Sequence, residues 1–125
     1  MYPANALLEA FDRVNEIRAL MDYFDRGTPD TVWLGSIAGW NPKPMVICGD
    51  GRILRNKVER QALKDAALTF FCLSSGWMHL DWSTFGWKIV KAWPGIIAEA
   101  NRVIRPTVFE VSAQTLKISK AFHLE

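Results

Sequence analysis

The sequence predicts an α/β fold, a three-layer sandwich with helices on both sides of a central parallel sheet. Three observations point there. Helix-patterned segments alternate with short apolar runs along the chain. Two of those runs, residues 45–48 and 68–73, are apolar almost throughout, and the first has the look of a strand buried on both faces. Half of the 125 residues are hydrophobic, enough for one domain with a real core and too few for two.

Residues 4–11 combine good helix formers with helical apolar spacing at Leu7, Leu8 and Phe11. Val14, Ile17 and Leu20 alternate loosely and suggest a weak strand over 14–20. Gly27 and Pro29 mark a loop. Asp30 then stands where an N-cap belongs, ahead of Val32, Trp33, Leu34, Ile37 and Ala38. Gly39 and the Asn41-Pro42-Lys43-Pro44 run stop that helix before the strand at 45–48. Gly49-Asp50-Gly51 allows a sharp turn at the strand's end.

A helix over 56–67 places Val58, Ala62, Leu63 and Ala66 on one side, and it leads into the strand at 68–73. Phe85, Ile89, Val90 and Trp93 repeat at helical spacing, and Pro94 suits the first turn of a further helix to about Val103. Residues 107–111 are β-branched and aromatic, a final strand. From about residue 112 the chain reads as a loosely held tail of the single domain, 1–125.

No apolar run approaches the ~20 residues of a membrane-spanning helix, and no secretory signal opens the chain. The expected location is therefore cytoplasmic. Cys48 and Cys72 each lie in an apolar strand-like run and read as buried thiols, a disulfide between neighbouring strands being the alternative. One cysteine per segment and two histidines, His79 and His123, do not give the spacing of a zinc site. The net charge of +2 says nothing about partners, but residues 51–65 carry Arg52, Arg55, Lys57, Arg60 and Lys64 against Glu59 and Asp65. Such a cluster suits an anionic ligand, or forms a solvated helix face.

Asp30 and Asp50 hold the chemical interest. A helix followed by a strand brings both to the carboxyl edge of one sheet, where open α/β folds bind ligands. Two carboxylates offer hard oxygen donors to a divalent cation. Singly, each has a structural reading: a helix cap for Asp30, and a turn residue for Asp50. Trp77, Trp82, Trp87 and Trp93 read chiefly as packing residues, with base stacking as the alternative. His79 beside Asp81 has the form of a base and its orienter, but no motif supplies a nucleophile. Lys117 and Lys120 are further cations on the tail.

Five motifs in order resemble the PIN-like domains of VapC-type toxin ribonucleases. They are Gly27-Thr28-Pro29-Asp30-x-x-Trp33-Leu34, Val46-Ile47-Cys48-Gly49-Asp50-Gly51-Arg52-Ile53, Asn56-Lys57-x-Glu59-Arg60-x-Ala62-Leu63, Phe70-Phe71-x-Leu73-x-x-Gly76-Trp77 and Lys91-x-Trp93-Pro94. The resemblance runs from about Tyr2 to Val111. It implies a cluster of acidic residues holding Mg²⁺ or Mn²⁺ for hydrolysis of RNA, with Asp30 and Asp50 as metal ligands and catalytic residues. It also implies Arg52, Arg55, Lys57 and Arg60 as contacts to RNA phosphates, a cognate antitoxin as protein partner, and pairing into a homodimer.

One departure from the family pattern bears on activity. Family members open with a strand bearing an acidic residue, whereas no Asp or Glu precedes Glu9 in this sequence. The expectation is a toxin-type endoribonuclease lacking the first strand and only weakly active. The alternative is a non-catalytic PIN-like module that binds protein or RNA.

Overall fold

The computed structural model describes residues 4–49, 57–104 and 106–123. Helix α1 (Ala4–Phe11) is followed by a 3₁₀ turn (Leu20–Asp22), α2 (Asp30–Ala38), β1 (Val46–Cys48) and α3 (Lys57–Ala66). Then come β2 (Phe70–Leu73), a second 3₁₀ turn (Ser75–His79), α4 (Trp82–Arg102), β3 (Thr107–Val111) and β4 (Ile118–His123). The strands form one sheet in the order β1-β2-β3-β4, the first three parallel and β4 antiparallel to β3.

Side-chain alternation along the strands divides the core into two layers. On one face, Phe71, Leu73, Phe109 and Val111 pack with Leu8 of α1 and with Phe85, Ile89, Trp93 and Ile96 of α4. On the other, Phe70, Cys72 and Val108 pack with Trp33, Leu34 and Ile37 of α2 and Leu63 of α3. This is the expected α/β sandwich: α1 and α4 above the sheet, α2 and α3 below. The strands β1, β2 and β3 follow one another in one direction while α3 and α4 cover opposite faces. The two crossovers therefore have opposite hands, and one departs from the usual right-handed connection.

The structure corrects six local expectations. Residues 14–20 form no strand, because Asp12 captures the backbone N–H groups of Val14 and Asn15 at 2.9 Å each and folds the chain into a turn. Val14 is accordingly 92% exposed. Strand β1 is not buried on both faces: it is an edge strand, and all three of its residues are half-buried. Val58 faces water, while Leu63 and Ala66 carry the contact of α3 with the core.

Pro94 does not begin a new helix; it sits inside α4, which is continuous from Trp82 to Arg102. A proline in a helix interior forfeits one backbone hydrogen bond and costs about 3 kcal/mol. Here its ring is exposed, and the apolar stripe Phe85, Ile89, Ala92, Trp93 and Ile96 passes it unbroken onto one sheet face. Packing on both sides of the proline holds the two halves as one helix.

The segment after residue 112 is no loose tail. Ser112 N–H donates to the Lys117 carbonyl, Leu116 N–H donates to the Ser112 carbonyl, and Ile118 to His123 pair with β3. The turn contains no glycine. Leu116 itself takes the left-handed conformation, with φ 61°. The sixth correction, the N-cap at Asp30, belongs to the site.

Candidate functional site

The carboxyl edge of the parallel strands is where the chain gathers its polar turns. Strand β1 ends at Cys48 and Gly49, β2 passes into Ser74 and the second 3₁₀ turn, and β3 passes into the Ser112–Lys117 turn. The last two are knitted together. Ser74 N–H and the indole N–H of the fully buried Trp77 both donate to the Val111 carbonyl, at 3.1 and 3.0 Å. Ser74 Oγ accepts from Ala113 N–H at 3.3 Å. Trp77 also meets Phe85 edge-on at 5.6 Å, so the edge is anchored to the first turn of α4.

Asp30 is the first residue of α2, not its cap. Pro29 occupies the cap position and makes no side-chain cap hydrogen bond. The Asp30 carboxylate reaches forward instead: Oδ1 accepts the indole N–H of Trp33 at 2.8 Å. Trp33 is buried among Leu34, Ile37 and the sheet, so it holds the carboxylate in one orientation. Oδ2 has no partner in this hydrogen bond, and the positive end of the helix dipole favours negative charge at that place. Asp30 is half-buried at the surface of the domain.

Asp50, Arg52 and Arg55 lie outside the described residues. Lys57 and Arg60 are exposed on α3, the helix against which α2 packs. The structure therefore brings Asp30, Lys57 and Arg60 onto two neighbouring helices of the same layer. Among the described residues no group of three or more His, Cys, Asp or Glu side chains is arranged to hold a metal ion. Asp30 supplies an oxygen donor of the hard type that Mg²⁺ and Mn²⁺ prefer. One described carboxylate does not by itself constitute a site for them.

The remaining candidates divide. Asp81 is the N-cap of α4, accepting the Thr84 N–H at 2.8 Å and the Ser83 hydroxyl at 3.3 Å. These bonds, the backbone one foremost, hold its carboxyl below the usual carboxylate range. It is thus a helix cap and not an orienter for His79, which is exposed. Trp77 and Trp93 are buried, as packing predicts, whereas Trp82 and Trp87 are exposed. Trp87, 53% exposed, lies 5.6 Å from Lys88 Nζ and 5.8 Å from Lys91 Nζ. It edges a groove of about 260 Å³ lined also by Lys91, Gln114, Thr115 and Leu116.

Sequence reasoning missed Asp12. Its Oδ2 accepts the indole N–H of Trp93 at 2.7 Å and the side-chain amide of Asn15 at 2.9 Å, while Oδ1 takes the two backbone groups. The Asn15 backbone bond, then the indole, hold its carboxyl far below the usual range. Asp12 pins α1 to α4 and is structural. The signal available was an aspartate just past a helix end, with Val14 two residues on at the spacing of an Asx turn. Cys48 and Cys72 are not joined by a disulfide; their thiols lie directly opposite one another on β1 and β2, with sulfurs 2.9 Å apart. The hydrogen bond with Cys48 lowers the Cys72 thiol pKa, while burial opposes that effect.

No helix among the described residues is long and apolar enough to cross a membrane. No curated protein matches the sequence, and no solved structure does. The sequence does match the model of the family described as PIN like domain, over residues 4–75. That span covers α1 to β2, including the Asp30 helix head, the Gly49-Asp50-Gly51 sequence and the basic start of α3. With more than half of its length in that match, the chain belongs to the PIN-like domain family.

Proposed function

We propose that the protein is a metal-dependent endoribonuclease of the toxin type, with Asp30 and Asp50 as metal-binding and catalytic carboxylates and a cognate antitoxin as its protein partner. The observation that carries the reading is Asp30: a carboxylate at a helix head, inside the PIN-like span, with one oxygen fixed by a buried indole. An acceptor oriented in this way is what a ligand position requires, because the N–H on Oδ1 sets the direction in which Oδ2 can donate. An aspartate that spends both oxygens on the protein's own donors, as Asp12 does on two backbone N–H groups, an amide and an indole, leaves nothing for a ligand.

Mg²⁺ or Mn²⁺ at these carboxylates would offset charge on an RNA phosphate and promote attack by water. Asp30 would hold its donor oxygen in place without side-chain reorganisation. Lys57 and Arg60, exposed on the adjacent helix, would meet flanking phosphates together with Arg52 and Arg55. Sequence selectivity would come from unpaired bases reaching the carboxyl edge. The antitoxin rests on the toxin-type motifs alone.

Calorimetric titration with Mn²⁺ and cleavage of a labelled single-stranded RNA test this together. The reading expects saturable heat at millimolar metal or below, and cleavage that Asp30→Asn and Asp50→Asn both abolish. Absence of both heat and cleavage would leave the non-catalytic module as the better account.

A further inference from the structure

We infer that Cys48 and Cys72 are an oxidisable dithiol, a modification site that closes reversibly into a disulfide between β1 and β2. This inference goes beyond the ribonuclease reading and does not depend on it.

The geometry is set by strand register. Val46, Ile47 and Cys48 pair in parallel with Phe70, Phe71 and Cys72, so the two cysteines are direct Cα partners. Neighbouring strands stand about 4.7–4.9 Å apart, inside the 4.4–6.8 Å window of Cα separations that disulfides bridge. Partners in register share a sheet face, and both side chains belong to the layer covered by α2 and α3. Their sulfurs, 2.9 Å apart, need close by less than 1 Å to reach the roughly 2.05 Å of an S–S bond.

The two thiols differ in access, which assigns them roles. Cys48 is half-buried on an edge strand with one sheet neighbour, whereas Cys72 is 3% exposed and sealed in the interior strand. An oxidant of the small-molecule disulfide class reaches Cys48 first. The Cys48 sulfur attacks one sulfur of that disulfide, its proton passes to solvent, and the other half leaves as a thiolate. Cys72 then attacks Cys48 in the resulting mixed disulfide, loses its own proton, and expels the second half as a thiolate. Over both steps the protein loses two protons and two electrons, equal to two hydrogen atoms, and the small disulfide becomes two thiols.

The bond would tie the last residue of a three-residue edge strand to the fully buried β2. Gly49 and Asp50 follow Cys48 directly in the sequence, so oxidation fixes the end of β1 from which the chain continues to them. It also closes a loop containing the whole of α3, which restricts the unfolded chain and favours the folded one.

The test uses the full chain without added metal, with oxidised glutathione as the probe and intact mass as the readout. Wild-type protein is expected to lose two hydrogens, to lose both titratable thiols, to keep no glutathione adduct, and to melt at higher temperature; reduced dithiothreitol reverses all four. Cys72→Ser should instead accumulate one glutathione adduct, on Cys48, because the resolving thiol is gone. Cys48→Ser, checked for folding by circular dichroism, should take up none. Stable glutathionylation of the wild type, disulfide-linked dimers as the main product, or two thiols that survive millimolar probe would each overturn the inference, and none of these readouts involves RNA cleavage.

Discussion

Two aspartates near helix ends each accept an indole N–H, yet they serve different ends. Asp12 joins Trp93, 81 positions away, and uses both oxygens: two backbone N–H groups on one, an amide and the indole on the other. Asp30 joins Trp33, three positions away in the same helix, through Oδ1 alone. The first is a long-range pin between two elements of the upper layer. The second is a local brace on one side chain of the lower layer. The contrast is one of hydrogen-bond saturation: Asp12 uses both oxygens within the protein, whereas Asp30 uses Oδ1, and on the proposed function that difference leaves Asp30 disposed for a ligand.

The most disruptive way to break the comparison is at the buried indole of the upper layer. Trp93→Ala removes the partner of Asp12 and opens a cavity among the α1–α4 packing residues, and should cost about 3–5 kcal/mol in chemical denaturation. A variant within 1 kcal/mol of wild type would show that α1 is held without its pin.

The carboxylate itself tests the charge. The folded state depresses the Asp12 pKa below its ordinary 3.8, so the stability contributed by its ionised form is complete above pH 3.8. That contribution is lost as pH falls below 3.8 toward the folded-state pKa. Asp12→Asn should therefore melt lower than wild type at neutral pH, and the gap should narrow on acidification from pH 6 to 2. A gap independent of pH would mean that the charge plays no part.

Trp33→Phe sharpens the other half of the contrast. It keeps the buried ring and deletes only the N–H, so its stability cost should be about 1 kcal/mol or less. On the proposed function it should also weaken Mn²⁺ binding measurably, whereas Trp93→Phe should not. Equal effects of the two on metal affinity would erase the distinction drawn between the aspartates.

The smallest effect belongs to a position on neither pin. Ala67 ends α3 with φ 54°, where its N–H bonds back to the Leu63 carbonyl at 3.2 Å. Glycine meets no Cβ clash there, so Ala67→Gly should raise stability by up to ~1 kcal/mol. A fall would mean that the entropy lost by glycine outweighs the strain relieved.

Much of the fold was legible because local pattern and tertiary demand coincide. Leu8 on α1, the apolar run Phe70–Leu73 and the β-branched Thr107–Val111 each combine propensity with burial. The sequence misled where the two conflict. Val14, Ile17 and Leu20 recur every three residues and only loosely suggest a strand, whose period is two, and the turn at Asp12 takes the backbone donors a strand would need. Ser112–Lys117 carries no glycine to announce its turn, and Leu116 adopts the left-handed conformation because β4 pairing beyond it demands reversal. At the site, Asp30 was recognisable as a helix head, while its indole brace required knowing that Trp33 faces inward and leaves its N–H at the helix end.

By itself, the sequence determined the alternation of helix and strand, the start of a helix at Asp30, and membership motifs that a family match then supported over residues 4–75. These are properties of contiguous residues, set by propensity, period and turn chemistry. Tertiary structure alone decided that β1 is an edge strand, that α3 and α4 lie on opposite faces, that Pro94 is carried within one helix, and that Cys48 faces Cys72. Each of these depends on which distant apolar faces pack together. That choice is made by the burial of the whole core, and no local stretch encodes it.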